Sequence, residues 1–379
     1  MATPCSNNNR GLALFVSVVG VFLQNMATAA TRSMKSVLLL LSVQIMFGLL
    51  HAVISEEENQ EMERQLRVIN KPPIKSFKTR PKHVPKSTME GESPRLLPDN
   101  IKCPPGSVLI RRTTKEDLIM ANKMKTLGLN HPTNPAAPDA NTAAVRYPKH
   151  NFGARTTMNV WGPTTLPGQA SFANLWISSG PSEELNVIQA GWAVFPMLFS
   201  SNNTRLLTYW TGDGYNTTGC FNYLCPGFVQ INPKISLGLV LDQLSVYNGT
   251  QRDIQISIIK NANWWLQFGN QFVGYWPQKL FSYMHDGADN AVWGGLVISP
   301  SNEPSPAMGS GHFPKDGLQN KSAYFKNTQI WDGAKLIYPS RDQLALSSSR
   351  PDCYEAELAP GVAPNPVDLF YGGPGQCHI

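Results

Sequence analysis

From Asn141 to the C-terminus the chain breaks into short runs rich in Trp, Tyr, Val and Ile, separated by Gly, Pro and Asn. Examples are Arg155 to Trp161, Ser171 to Ile177, Leu206 to Thr211, Ile254 to Ile259, Asn263 to Phe268 and Ala323 to Trp331. No long amphipathic helix lies between them. A chain written this way forms many short antiparallel strands, so the expected fold is all-β, an antiparallel β-sandwich over residues 141–379. The 30 Gly, 30 Pro and 15% charged residues suit a turn-rich β protein better than a helical bundle. There is no internal repeat.

The formal charge of +6 is unevenly placed. Residues 1–130 hold 18 Lys and Arg against 10 Asp and Glu, and residues 131–379 hold 14 against 16. The excess is N-terminal, and the nearly neutral main domain is not built for a polyanion, so no nucleic-acid partner is expected.

Two apolar runs open the chain, Gly11 to Ala30 and Val37 to Ile54. From Met34 the second reads as a secretory signal peptide: a basic start at Lys35, an apolar stretch, then Val53 and Ser55 placed for cleavage before Glu56. The alternative is a hairpin of two membrane spans, but both runs are at or below the about 20 residues a span needs. The expected organisation is therefore an N-terminal extension and signal peptide over 1–55, with the signal at 34–55, a propeptide-like region over 56–140, and the β domain. The mature chain is expected to be secreted to the extracellular space or cell wall, with no stable membrane span.

Cysteine usage fits an oxidising compartment. Cys220 with Cys225, and Cys353 with Cys377, are natural local disulfides, leaving Cys103 over in the chain that follows the signal. No zinc-type spacing occurs and no metal or cofactor is expected; His378 reads as a tail residue. Sequons at Asn202, Asn216, Asn248 and Asn320 would accept N-glycans on the secretory route. Between the signal and the β domain, Thr113 to Glu116 has a capping-box pattern opening a helix, with Leu118, Ile119, Met124 and Leu127 as its apolar face and Gly128 as its stop.

Several phrases resemble the neprosin family of secreted plant proteins. They are AGWAVFP (190–196), RLLTYWTGDGYNTTGCFNYLCPGFVQIN (205–232), NWWLQFGNQFVGYWP (263–277), VWGGLV (292–297), MGSGHFP (308–314) and FYGGPG (370–375). The resemblance runs from about residue 145 to the C-terminus, and KCPPGSVLIRRTTKEDL is similar to the family's activation peptide. It implies two facing sheets and a glutamic, proline-directed endopeptidase in which two glutamates act on a water molecule. At the matching positions this chain has Gln189, before AGW, and Leu296, after WGG.

Glutamic-peptidase chemistry needs an ionised carboxylate to take a proton from water and a second polar group to support the oxyanion. Gln189 can fill only the second role and Leu296 neither, so the expectation is weak or lost activity, a pseudo-peptidase. Rival readings are an active prolyl endopeptidase with a rebuilt acid pair, and a carbohydrate- or cell-wall-binding β-sandwich. Asp213, Asp286, Asp289 and Glu303 read as turn or surface acids. Trp192, Tyr209, Trp210, Tyr275, Trp276 and Trp293 are expected to line a groove for a proline-rich peptide or a sugar. Nucleophile-elbow, HExxH and P-loop motifs are absent, and Ser310 with His312 reads as a Gly-rich turn and a structural His.

Overall fold

Strands form where β-branched and aromatic residues alternate between two faces, and they end at Gly, Pro or Asn, which turn the chain. The computed structural model describes residues 32–70, 107–108, 110–126, 140–300 and 303–377. In chain order its strands are β1 (Ala140–Tyr147), β2 (Gly153–Asn159), β3 (Ala170–Ser179), β4 (Asn186–Val194), β5 (Arg205–Thr211), β6 (Cys220–Phe221), β7 (Val229–Gln230) and β8 (Asp253–Asn261). They continue as β9 (Asn263–Phe268), β10 (Gln271–Trp276), β11 (Asn290–Ile298), β12 (Ala323–Trp331), β13 (Leu336–Ile337), β14 (Ala345–Ser348), β15 (Glu355–Pro360) and β16 (Val367–Gly372). The runs Asn263–Phe268 and Ala323–Trp331 have the predicted bounds, and the other four begin or end one to two residues away.

Two antiparallel sheets result. One is seven-stranded, in the order β14-β1-β11-β3-β4-β5-β6. The other is nine-stranded, in the order β15-β16-β12-β2-β8-β9-β10-β7, with β13 paired to β12. The fold is thus the expected all-β sandwich. Its main core fills the space between the sheets with Val145, Leu175, Ile188, Trp192 and Trp293 from one side and Met158, Ile256, Ile258, Trp264, Phe325 and Tyr371 from the other. The Trp192 indole N–H, on β4, donates to the Asn159 carbonyl, on β2, at 2.9 Å, tying one sheet to the other.

A second apolar cluster covers the opposite face of the seven-stranded sheet. It holds Phe172, Trp176, Val187, Leu207, Tyr209 and Leu296, and receives Met124 and Ala121 from helix Lys115–Thr126. That helix is capped one residue later than the sequence suggests. Thr114 and Asp117 form the reciprocal pair, the Asp117 N–H donating to Thr114 Oγ1 at 3.3 Å and the Thr114 N–H to Asp117 Oδ2 at 2.8 Å. Asp117 supplies the charge at the third helical position, so Thr114 rather than Thr113 is the cap. Leu118 and Met124 are buried, whereas Ile119 is exposed, because it falls off the face they share. Leu127, Gly128, Cys103 and His378 lie outside the described residues.

The chain divides into two units, Met1–Gln65 and Leu66–Ile379. Helix Arg32–Ile69 begins in the first unit and runs unbroken through the predicted cleavage point at Ser55–Glu56. It exposes Leu39, Leu40 and Met46. No helix of the described residues is long and apolar enough to cross a membrane.

Candidate functional site

Directly opposed residues on neighbouring strands share a face, so the registers of the seven-stranded sheet order its outer surface into rows. One row runs Arg146–Val292–Trp176–Gln189–Tyr209–Phe221 across β1, β11, β3, β4, β5 and β6. The next runs Ala144–Gly294–Asn174–Gly191–Leu207. A third runs Thr142–Leu296–Phe172–Ala193–Arg205. Gln189 and Leu296 therefore share one face, two strands and two rows apart, with Asn174 midway between them in both directions.

Asn174 is the polar residue that sequence reasoning missed. Its signal was present: it is a lone amide in the apolar run Ala170–Ile177, at the phase of Phe172 and Trp176. Glycines make its place possible. A Cβ at Gly191 would sit 1.9 Å from the Ala173 carbonyl and 2.5 Å from Asn174 Oδ1, and one at Gly294 would sit 2.5 Å from Ala144. The AGW glycine thus leaves the amide room, while the first WGG glycine lets β11 approach β1 closely.

The two amides are joined by a single bond. Asn174 Nδ2 donates to Gln189 Oε1 at 3.3 Å. Asn174 Oδ1, Gln189 Nε2 and the Trp176 indole N–H have no protein partner, and all three residues are buried. An unpaired buried polar group costs about 1–3 kcal/mol, so an acceptor and two donors left open together suit a water or a peptide group, which carries one C=O and one N–H.

Neither matched position carries a carboxylate. Leu296 is 1% exposed and packs in the apolar cluster with Phe172 and Ile298. More generally, none of the seven strands of this sheet contains an Asp or a Glu. The acids considered from sequence have other tasks. Asp213 accepts hydrogen bonds from the backbone and side chains of Thr217 and Thr218 at 2.6–3.2 Å. Burial alone would raise its pKa, but these bonds outweigh it and hold the carboxyl well below the usual range. Asp286 is exposed beside His285, Asp289 takes the hydroxyl of Ser179, and Glu303 takes the Gln169 amide at 3.4 Å. Tyr209, beside Gln189, is held protonated by burial and then by the charge of Asp213.

The six aromatics do not form one groove. Trp192, Trp210, Trp276 and Trp293 point into the inter-sheet core, Tyr209 lies on the outer face of the seven-stranded sheet, and Tyr275 lies on the outer face of the other, against Trp265. Strand alternation explains the scatter, since adjacent residues such as Tyr209 and Trp210 must face opposite ways.

Cys220 is bonded to Cys225 and Cys353 to Cys377. Asn202, Asn216, Asn248 and Asn320 are all exposed. Ser310 and His312 occupy a turn, the His312 N–H donating to Ser310 Oγ at 3.3 Å while its ring stacks on Tyr247 at 4.0 Å. An open cleft of about 600 Å³ lies apart from the amide pair, lined by neither matched position.

Among solved structures, scytalido-glutamic peptidase with a transition-state-analogue inhibitor is similar at 12% identity over 62% of this chain and 98% of that one, with a TM-score of 0.33. SCP-B, a member of the eqolisin peptidases in complex with Ala-Ile-His, gives 10% identity, 62% and 96% coverage, and a TM-score of 0.33. A family 16 endo-glucanase from Bacteroides ovatus gives 10% identity over 43% and 67% of the two chains, with a TM-score of 0.27. None of these is close enough to carry a residue's role across. The sequence itself is more decisive: it matches the Neprosin family model over residues 167–374, a stretch that contains the amide pair, Leu296 and more than half of the chain, and the protein belongs to the Neprosin family.

Proposed function

We propose that this chain is a secreted Neprosin-family protein whose peptidase activity is weak or lost and whose amide-bearing sheet face binds peptide, proline-rich protein being the expected ligand. The observation that carries the reading is the lack of any carboxylate in the seven strands that hold Gln189, Asn174 and Leu296. Water attack on a peptide bond needs a group that accepts the water's proton as the new bond forms. Amides do not accept it usefully, and removing a general base costs about 10²–10⁴ in rate. Gln189 and Asn174 can still hold a carbonyl or an N–H through their open donor and acceptor.

Helix Lys115–Thr126 supports the propeptide reading, because Met124 and Ala121 are part of the apolar cluster on this same face, so a ligand would need that segment displaced. Two disulfides and four exposed sequons support passage through the secretory route.

The test is cleavage of a proline-rich protein between pH 2 and 7 by protein secreted from cells expressing the chain from Met34, after acid treatment to allow maturation. No products, with the protein still folded and a catalytically intact family member cutting in parallel, is the expected result. Cleavage after proline at a comparable rate would overturn the reading and send the search for the base to Asp289 and Glu303.

A further inference from the structure

The open cleft lies at the end of the sandwich where β3 begins, bounded by the connection after β2, the turn at Leu244–Ser245, the 304–310 segment and the C-terminal 374–376. Its chemistry is uniform. Trp161, Leu166 and Leu244 give it apolar walls, Thr164, Ser245 and Ser310 give hydroxyls, and no lining residue is charged. Apolar walls combined with uncharged hydrogen-bonding groups, in a space of ligand-pocket size, fit a neutral, hydroxyl-rich ligand, a sugar.

The rim is built rather than loose. Gln169, 3% exposed, accepts from the Leu166 N–H at 3.0 Å and donates to the Pro304 carbonyl at 2.8 Å, clamping two walls together. Trp161 is 6% exposed and its indole N–H has no protein partner. Leu166 and Leu244 nevertheless leave 51% and 38% of their surface open at the mouth.

A sequon is tied to the wall of the cleft, one residue removed from its lining. Asn202 of the sequon Asn-Asn-Thr is exposed, and its Oδ1 accepts from Thr165 Oγ1 at 3.1 Å, between the lining residues Thr164 and Leu166. This bond fixes the carboxamide by its oxygen, which leaves Nδ2 as the atom that would carry a glycan.

We propose that the first sugars of an N-glycan on Asn202 lie in the Trp161 cleft, so that the chain's own carbohydrate covers its open apolar walls. The inference rests on the secretory reading above. Attachment joins Asn202 Nδ2 to the anomeric carbon of the first N-acetylglucosamine and breaks that carbon's bond to the pyrophosphate of a lipid-linked oligosaccharide donor. The pyrophosphate leaves with the electron pair and the amide gives up a proton; the host's oligosaccharyltransferase and lipid donor supply the reaction.

The test uses the full chain made in glycosylating cells, with glycopeptide mass spectrometry at each sequon and exposed Asn216 as the internal control. On the folded protein, peptide-N-glycosidase is expected to release the Asn202 glycan at least about tenfold more slowly than that of Asn216, the ratio that about 1.4 kcal/mol of docking supplies. Trp161→Ala should equalise the two rates. Leu244→Lys, at the exposed rim, gives the same readout if the tryptophan variant does not fold. Equal rates in the unaltered protein, or sugar on Asn216 with none on Asn202, would overturn the cleft assignment alone. Absence of sugar from all four sequons would overturn the secretory reading and the cleft assignment with it.

Discussion

Leu296→Glu puts a carboxylate back at the one matched position that is neither charged nor polar, and the structure sets what this should cost and gain. Leu296 is 1% exposed, so the change forfeits about 1.5–3 kcal/mol of side-chain burial. It also buries a carboxyl whose neighbours in the row, Thr142 and Phe172, offer little, for about 1–3 kcal/mol more. A loss of about 2.5–6 kcal/mol is survivable in all but the least stable domains of typical stability, and thermal unfolding at pH 7 would confirm that the variant folds. The same surroundings should raise the new carboxyl's pKa above the ordinary about 4.3. Any activity gained should therefore climb as pH rises through that elevated value, since the base works ionised. Leu296→Gln is the control, because it carries the same packing loss without a base. Hydrolysis of an internally quenched proline-containing peptide by matured protein should be at least about 10²-fold faster for the Glu than for the Gln variant, about 2.7 kcal/mol of barrier. Equal background rates in two folded variants would refute the placement of the site. So would an unaltered protein that already matches the Glu variant.

Trp192→Phe removes the indole N–H that reaches the Asn159 carbonyl across the sheets; a loss of about 0.5–1.5 kcal/mol, read by denaturant titration, is expected. Gly191→Ala would force a Cβ to within 1.9 Å of the Ala173 carbonyl, so the variant should fail to accumulate as folded protein, whereas Ala190→Gly next to it should accumulate. Because the folded-state pKa of Asp213 is depressed, its stabilisation is present above the unfolded carboxylate pKa and is lost as pH falls through the folded one. Asp213→Asn should accordingly lower the melting temperature at pH 7, with the gap to the unaltered protein closing in strong acid; a constant gap would contradict this. Removing the Cys353–Cys377 bridge, which closes a 24-residue separation, should cost about 3.5 kcal/mol and removing Cys220–Cys225, at a separation of 5, about 2, so the melting temperatures should fall in that order.

The two-sheet architecture was legible because alternation and turn chemistry are local. Asn263–Phe268 and Ala323–Trp331 could be bounded from the text alone, and the local cysteine pairs needed only proximity in the chain. The aromatic groove was misjudged for a reason that is also physical. A motif is read as a word, but a strand deals its letters alternately to two faces, so Tyr209 and Trp210 part company on folding. Asn174 was a visible amide without a visible role until the register put it between Gln189 and Leu296, because β3 meets β4 through a short connection but meets β11 only from far along the chain. The helix cap was placed one residue early because Glu116 and Asp117 each complete a capping pattern, and only backbone geometry selects Asp117.

The row Ala144–Gly294–Asn174–Gly191 crosses the strands at right angles. A peptide that followed it would traverse β1, β11, β3 and β4, three steps of about 4.8 Å, while each of its own residues advances about 3.3 Å. The two spacings do not coincide, so such a ligand could not be read as an added strand with every second side chain in a pocket. It would be held chiefly where its backbone passes Asn174, and about four residues of any sequence slim enough to lie along two glycines would meet the requirement. Selectivity on this face would thus be a matter of girth at one crossing point rather than of a spelled motif.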